Sequence, residues 1–120
     1  MTKTEILDLF PFLDSDDGSL RHAAERQGIL ATLSAGEYFY HKGDHCPHFA
    51  LVGSGSLRVF QPSASGREIT LYWVESGHTC MVNMLCAFLG DGSPATAVVE
   101  QDVEAVLLSA DTFRQWLGQS

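Results

Sequence analysis

From Ile29 onward the chain is cut into short apolar runs separated by glycine-bearing turns, and this pattern constrains the fold more than any other feature. Ile29, Ala31 and Leu33 alternate with Leu30, Thr32 and Ser34. Tyr38-Phe39-Tyr40 begins a second run after the turn at Ala35-Gly36-Glu37, and Lys42-Gly43-Asp44 turns the chain again. Residues 49–52 and 57–60 read as two strands around a turn at Gly53-Ser54-Gly55. After a polar loop at 62–66, residues 67–74 are expected to form the longest strand, with Ile69, Leu71 and Trp73 on one face. Residues 95–99 and 103–108 read as two more, joined at Gln101-Asp102. Many short, evenly spaced strands predict a mainly β chain, a jelly roll or another small barrel. Helices are expected only at the two ends, which excludes a parallel α/β sheet.

Thr2 and Glu5 form a candidate capping box for a helix over 3–10, which places Ile6, Leu9, Phe10 and Leu13 on one face before Pro11 stops it. Asp16 or Asp17 is expected to cap a second helix running to Gln27, with Leu20, Ala23 and Ala24 as its buried stripe and Gly28 ending it. Asp111 is expected to cap a last helix over 112–117, whose Phe113, Trp116 and Leu117 form an apolar stripe.

A chain of 120 residues suits one domain around one core, and 45% apolar with 18% charged residues is a folded composition. Seven Lys and Arg against 15 Asp and Glu give a net charge of −8, which opposes binding to a phosphate backbone. The chain alone is therefore a poor DNA binder. No run is long and apolar enough to span a bilayer and no signal peptide opens the chain, so a cytoplasmic location without membrane contact is expected. Three cysteines cannot all pair within one chain, which fits reduced thiols.

One stretch, residues 77–97, is neither a clean strand nor a clean helix. It sets His78, Cys80, Met81, Asn83, Met84 and Cys86 among apolar residues. Connecting segments held by a rigid scaffold commonly carry function, so the site is sought here.

Three pieces of sequence then carry a resemblance. They are Gly36-Glu37-Tyr38-Phe39 with Lys42-Gly43-Asp44, residues 49–59, and residues 65–71 running on to Gly77. Together they resemble the sensor domain of the bacterial cyclic AMP receptor protein and fumarate–nitrate regulator superfamily, over about residues 29–117. The resemblance implies a double-stranded β-helical jelly roll, a long dimer-forming helix after it, and a DNA-reading helix-turn-helix domain. This chain stops where that long helix would begin, so it is expected to be either an isolated sensor domain or an excised part of a regulator, reaching DNA only through a C-terminal domain absent from this sequence. A homodimer is implied, with Phe113, Trp116 and Leu117 packing across it or relaying motion.

Cyclic-nucleotide-binding members of that superfamily carry a Gly-Glu pair for the ribose and an Arg beside Ser or Thr for the phosphate. Counting from Gly77, the first pair falls on Met81 and Val82, and the Arg position falls at Ser93 or Pro94, before Ala95 and Thr96. Both anchors are missing, and a buried phosphate without a cation costs several kcal/mol. Arg58 and Arg67 are the substitutes nearest to hand, both in strand-like contexts. Cyclic AMP is thus not the expected ligand. The ligand-binding or sensing candidates are His78, Cys80, Met81, Val82, Asn83, Met84, Cys86, Pro94, Ala95 and Thr96, with Cys80 and Cys86 as redox candidates.

For the cysteines, burial as small hydrophobes competes with a redox or metal role, and His78 is the nearby group in sequence that could activate a thiol. His41, His45, Cys46 and His48 form a second cluster; His45, Cys46 and His48 are weak metal candidates against the plainer reading of a polar turn. Haem held by His78, Met81 or Met84 is compatible with the residue types but not specified by them. No cofactor is assigned. A degenerate, ligand-free roll used for dimerisation or protein contact is the alternative function. A cupin-like metalloenzyme is disfavoured, because His45-Cys46-Pro47-His48 lacks a His-x-His spacing and the strands contribute few histidines.

Overall fold

A computed structural model describes residues 1–14, 18–45, 47–80, 83, 92–112 and 115. Helix α1 (Lys3–Leu7), a 3-10 turn (Pro11–Asp14) and helix α2 (Ser19–Gln27) precede five strands, β1 (Ile29–Leu33), β2 (Tyr38–Tyr40), β3 (His48–Pro62), β4 (Glu68–Val74) and β5 (Thr96–Ser109). All described strand pairs are antiparallel, in the order β1-β5-β3-β4 with β2 also on β5. The chain is a mainly β jelly roll, and it turns helical again at Ala110.

Two strands are far longer than the sequence pattern suggests. Residues 49–52 and 57–60 are not separate: both lie in β3, of 15 residues. Residues 95–99 and 103–108 likewise merge in β5, of 14, so the seven-residue β4 is not the longest strand. The expected turn at Gly53-Ser54-Gly55 is instead a set of register shifts along the β3–β5 ladder. Gly55 takes φ +80°, and a Cβ there would sit 2.0 Å from the Asp102 carbonyl oxygen. The irregularity bends both strands together without ending either.

The period of two gives β3 and β5 two buried faces. Ala50, Val52, Leu57, Val59, Ala97, Val99, Val103 and Ala105 point into the roll with Tyr40, Val74 and Cys80. Phe49, Leu51, Val106 and Leu108 point the other way, against Ile6, Leu7, Phe10, Leu13, Leu20 and Ala24. The N-terminal helices are therefore a second layer, each large apolar residue contributing about 1.5–3 kcal/mol by burial.

The capping box of α1 is present in both directions, between Thr2 and Glu5. The helix is shorter than expected, ending at Leu7 before the 3-10 turn that Pro11 begins; Ile6, Phe10 and Leu13 are buried as expected, but Leu7 is buried with them and Leu9 is 37% exposed. Helix α2 starts after Gly18 at positive φ, while Asp16 and Asp17 lie outside the described residues. Gly28 ends α2 but in extended conformation (φ −65°) rather than left-handed. Its reason is space, since a Cβ would lie 2.4 Å from the Ala24 oxygen and 2.7 Å from Val106. On β4, Ile69, Leu71 and Trp73 are about half exposed, and the inward residues are Tyr72 and Val74. Among the described residues no helix is long and apolar enough to cross a membrane.

Candidate functional site

The stretch from Gly77 begins as an added edge on β3. Gly77, at φ +82°, lets the chain double back, its N–H donating to the Val52 oxygen at 2.9 Å. Val52 N–H donates to the His78 oxygen at 3.3 Å, and Thr79 bridges Leu51. This pairing delivers the next residue, Cys80, into the roll at 1% exposure. There its Sγ lies 3.1 Å from the Tyr40 hydroxyl on β2 and 3.4 Å from the Tyr72 hydroxyl on β4. Phenol and thiol can each donate or accept, so the three form a neutral polar knot in an apolar interior.

His78 does not take the activating place beside Cys80. It is exposed, and its Nδ1 accepts from the Glu75 N–H at 3.4 Å within the turn. Sequence reasoning missed Tyr40 and Tyr72 as the partners of Cys80. For Tyr72 the available signal was alternation, beside the outward Trp73; for Tyr40 the register shift after Tyr38 breaks the alternation and leaves no such signal.

Asn83 is the most constrained of the candidates, with no exposed surface. Its Oδ1 accepts from Ala50 N–H at 3.1 Å and its Nδ2 donates to the His48 oxygen at 3.0 Å. One side chain thus satisfies a donor and an acceptor at the start of β3, as a neighbouring strand would.

The positions after the stretch are tied to the turn at 41–44. Gly43 N–H donates to the Ser93 oxygen at 2.7 Å, Ser93 N–H to the Asp44 oxygen at 2.9 Å, and Lys42 N–H to Thr96 Oγ1 at 2.9 Å. Ser93, 2% exposed, turns its hydroxyl onto the Ala95 oxygen at 2.8 Å. Pro94 is exposed and its oxygen accepts from Gln61, and Ala95 is fully buried. The Ser93 position thus offers a small hydroxyl spent on its own segment, where the resemblance implies an arginine.

No described cation reaches the interior. Arg58, on the outer face, pairs with Glu68 at 2.9 Å and Glu100 at 3.3 Å and covers the Phe60 ring at 4.5 Å. Arg21 is held by Asp8, Asp14 and Glu25, which raise its pKa, the Asp8 hydrogen bond first. Lys3 donates to the Glu25 oxygen, and Arg26, Lys42 and Arg67 are exposed. Arg58 and Arg67 are thus not recruited inward.

A cleft of about 290 Å³ opens beside the same turn. Phe39, Tyr40, Asp44, His45, His48 and Asn83 line it. His45 and His48 are thereby brought together, but among the described residues no three His, Cys, Asp or Glu are placed to hold a metal ion. Met81, Val82, Met84 and Cys86, the metal candidate Cys46, and the expected dimer or relay residues Phe113, Trp116 and Leu117 lie outside the described residues.

The cyclic nucleotide-binding domain family matches residues 30–120. No curated protein matches the sequence. The fold is similar to the N-terminal domain of a transcriptional regulator from Streptomyces coelicolor A3(2), with TM-score 0.78 and 22% identity over 94% of this chain and 79% of that one. It is similar to the catabolite activator protein of Thermus thermophilus, with TM-score 0.76 and 20% identity over 91% of this chain and 50% of that one. It is also similar to a cyclic nucleotide-binding-like protein from Brucella abortus bv. 1 str. 9-941, with TM-score 0.71 and 20% identity over 97% of both chains. At these identities the likeness establishes the fold alone. The chain spans half the length of the Thermus protein.

Proposed function

This chain belongs to the cyclic nucleotide-binding domain family, and on that premise we propose that it is the effector-sensing domain of a bacterial Crp/Fnr-type transcription regulator whose signal is not cyclic AMP. The observation that carries the reading is the interior of the roll. Tyr40 and Tyr72 converge on Cys80, Ser93 bonds to its own segment, and every described Lys and Arg is engaged or exposed elsewhere. A phosphate inside would need a counter-charge, and an uncompensated buried charge costs about 3–5 kcal/mol.

In this reading the effector biases the central stretch, and the C-terminal helix passes the change to a DNA-binding domain on the same polypeptide. The regulator works in the cytoplasm as a homodimer and has no catalytic role. Isothermal titration with cyclic AMP and cyclic GMP tests it: no heat is expected up to millimolar nucleotide. Stoichiometric binding at micromolar concentration would overturn it.

A second reading, a ligand-free roll used for dimerisation or protein contact, is favoured by the same apolar lining with Cys80 between Tyr40 and Tyr72. Redox sensing is the variant that thiol chemistry separates. Phenol hydroxyls supply no positive charge to Cys80, and its 1% exposure blocks reagents. A Cys80 thiol that reacts in the native state as fast as a free thiol would support redox sensing against the ligand-free roll.

A further inference from the structure

The cleft beside residues 41–48 has the features of a ligand site and opens at the turn that edges the roll. At about 290 Å³ it stands at the small end of the usual range, roughly 300–1,000 Å³, and suits a molecule of one or two rings. Its floor is apolar: Phe39 and Tyr40, with ring centroids 5.5 Å apart and tilted by 58°, and the half-buried Leu107. The polar lining groups are few. They are the Asp44 carboxylate and the imidazoles of His45 and His48. The Asn83 amide forms part of the wall, but both its polar ends are spent on β3, so it offers surface and not hydrogen bonds.

The sign of the charge selects the ligand. No described Lys or Arg lines the cleft, a carboxylate does, and the whole domain carries −8. An anion is repelled at short and long range, whereas a cation gains from both. A flat ring has an aromatic and aliphatic floor to cover. We propose that this cleft binds a small planar amine or amidine, its ring over Phe39 and Leu107 and its cationic head at Asp44.

Two cleft walls also belong to the interior. Tyr40 reaches Cys80 through its hydroxyl, and Asn83 holds the central stretch onto β3. A ligand here therefore presses on the segment that the sensing reading makes responsive, and only this consequence rests on that reading. Occupancy is expected to slow hydrogen exchange at the Ala50 amide and the Asn83 side-chain amide.

The test uses the 120-residue chain labelled for NMR, with tryptamine as probe and indole-3-acetate as its charge-reversed match. Tryptamine is expected to give saturable shifts at Asp44, His48 and the Asn83 side chain, with indole-3-acetate at least tenfold weaker. Asp44→Asn, which keeps an oxygen for the His41 N–H, is expected to lower tryptamine affinity at least fivefold. Leu107→Trp, filling the floor, is expected to abolish binding while circular dichroism stays native. Equal binding of the two indoles overturns the charge argument. Shifts centred on Cys80 and Tyr72 overturn the location, and no saturable shift overturns the site. These failures leave the cyclic AMP titration unaffected, and cyclic AMP binding inside the roll would refute the preceding reading without supplying shifts at Asp44.

Discussion

Removing the Asn83 amide should open the start of β3. The Ala50 N–H, on a residue 1% exposed, has this amide as its partner, and so does the His48 carbonyl. Asn83→Ala leaves both without it. An unsatisfied buried donor costs about 1–3 kcal/mol, and a second lone pair on a half-buried carbonyl costs less, so the expected loss is roughly 3 kcal/mol. For a chain of this size that lowers Tm by about 10 °C. Asn83→Asp sharpens the test. A neutral carboxylic acid can still accept from Ala50 and donate to His48, whereas a carboxylate can do only the first and is buried as an unpaired charge. The group's pKa must then rise on folding, and stability must be greatest below the unfolded value near 3.9 and fall as pH climbs through the folded one. Urea melts at pH 4 and pH 7 read both effects. A change below about 0.5 kcal/mol for Asn83→Ala, or an Asn83→Asp variant with the pH profile of the parent, would refute the edge-strand role of this side chain.

Two further outcomes concern the backbone and the first helix. Gly55→Ala and Gly66→Ala both place a side chain at positive φ, +80° and +84°, but the first meets the Asp102 oxygen at 2.0 Å and the second meets nothing within 4 Å. Urea denaturation should show Gly66→Ala costing about 1–2 kcal/mol, the left-handed penalty alone, and Gly55→Ala costing more than about 3 kcal/mol. Hydrogen bonds from the Thr2 backbone and then the Thr2 hydroxyl hold the Glu5 carboxyl below its ordinary value of 4.5, so the capping box stabilises above that value and is lost as pH falls through the lower folded one. Thr2→Val, which removes only the hydroxyl, should move the Glu5 carbon titration by NMR part of the way back up.

The architecture was legible because β3 and β5 advertise it: their residues alternate, and turn glycines mark where the ladder bends. Continuity was not legible. Gly53, Gly55 and Gln101-Asp102 look like turns in a one-dimensional pattern, and only pairing across the sheet turns them into bulges within two long strands. Face assignment failed at Leu9 for a related reason: α1 ends early, at Leu7, which periodicity over ten residues cannot show. In the site, Asn83 stood out as polar among apolar neighbours, but its two backbone partners are 33 and 35 positions away. Tyr40 and Tyr72 were passed over because each stands in a run that strand propensity already explains, and their shared target, Cys80, belongs to a different run.

The proposed reading has a further consequence for attempts to build cyclic AMP binding into this roll. Putting back the missing cation alone, as Ser93→Arg, should fail. Ser93 is 2% exposed and bonded to Ala95, so the guanidinium would enter a buried position tied by backbone to the turn at Gly43 and Asp44. A buried charge without its counterpart costs about 3–5 kcal/mol, and every 1.4 kcal/mol of that weakens any ligand-driven gain tenfold. The ring of Tyr72 would still face Cys80 in the interior. Ser93→Arg is therefore expected to destabilise the domain and to give no cyclic AMP heat below millimolar concentration. Pairing it with Tyr72→Ser, which empties volume beside Cys80, should bring back measurable affinity. Micromolar binding by the single variant would mean that the roll retains room for a nucleotide, and that the lost arginine alone, rather than the packing of tyrosine around a thiol, decides what this domain accepts.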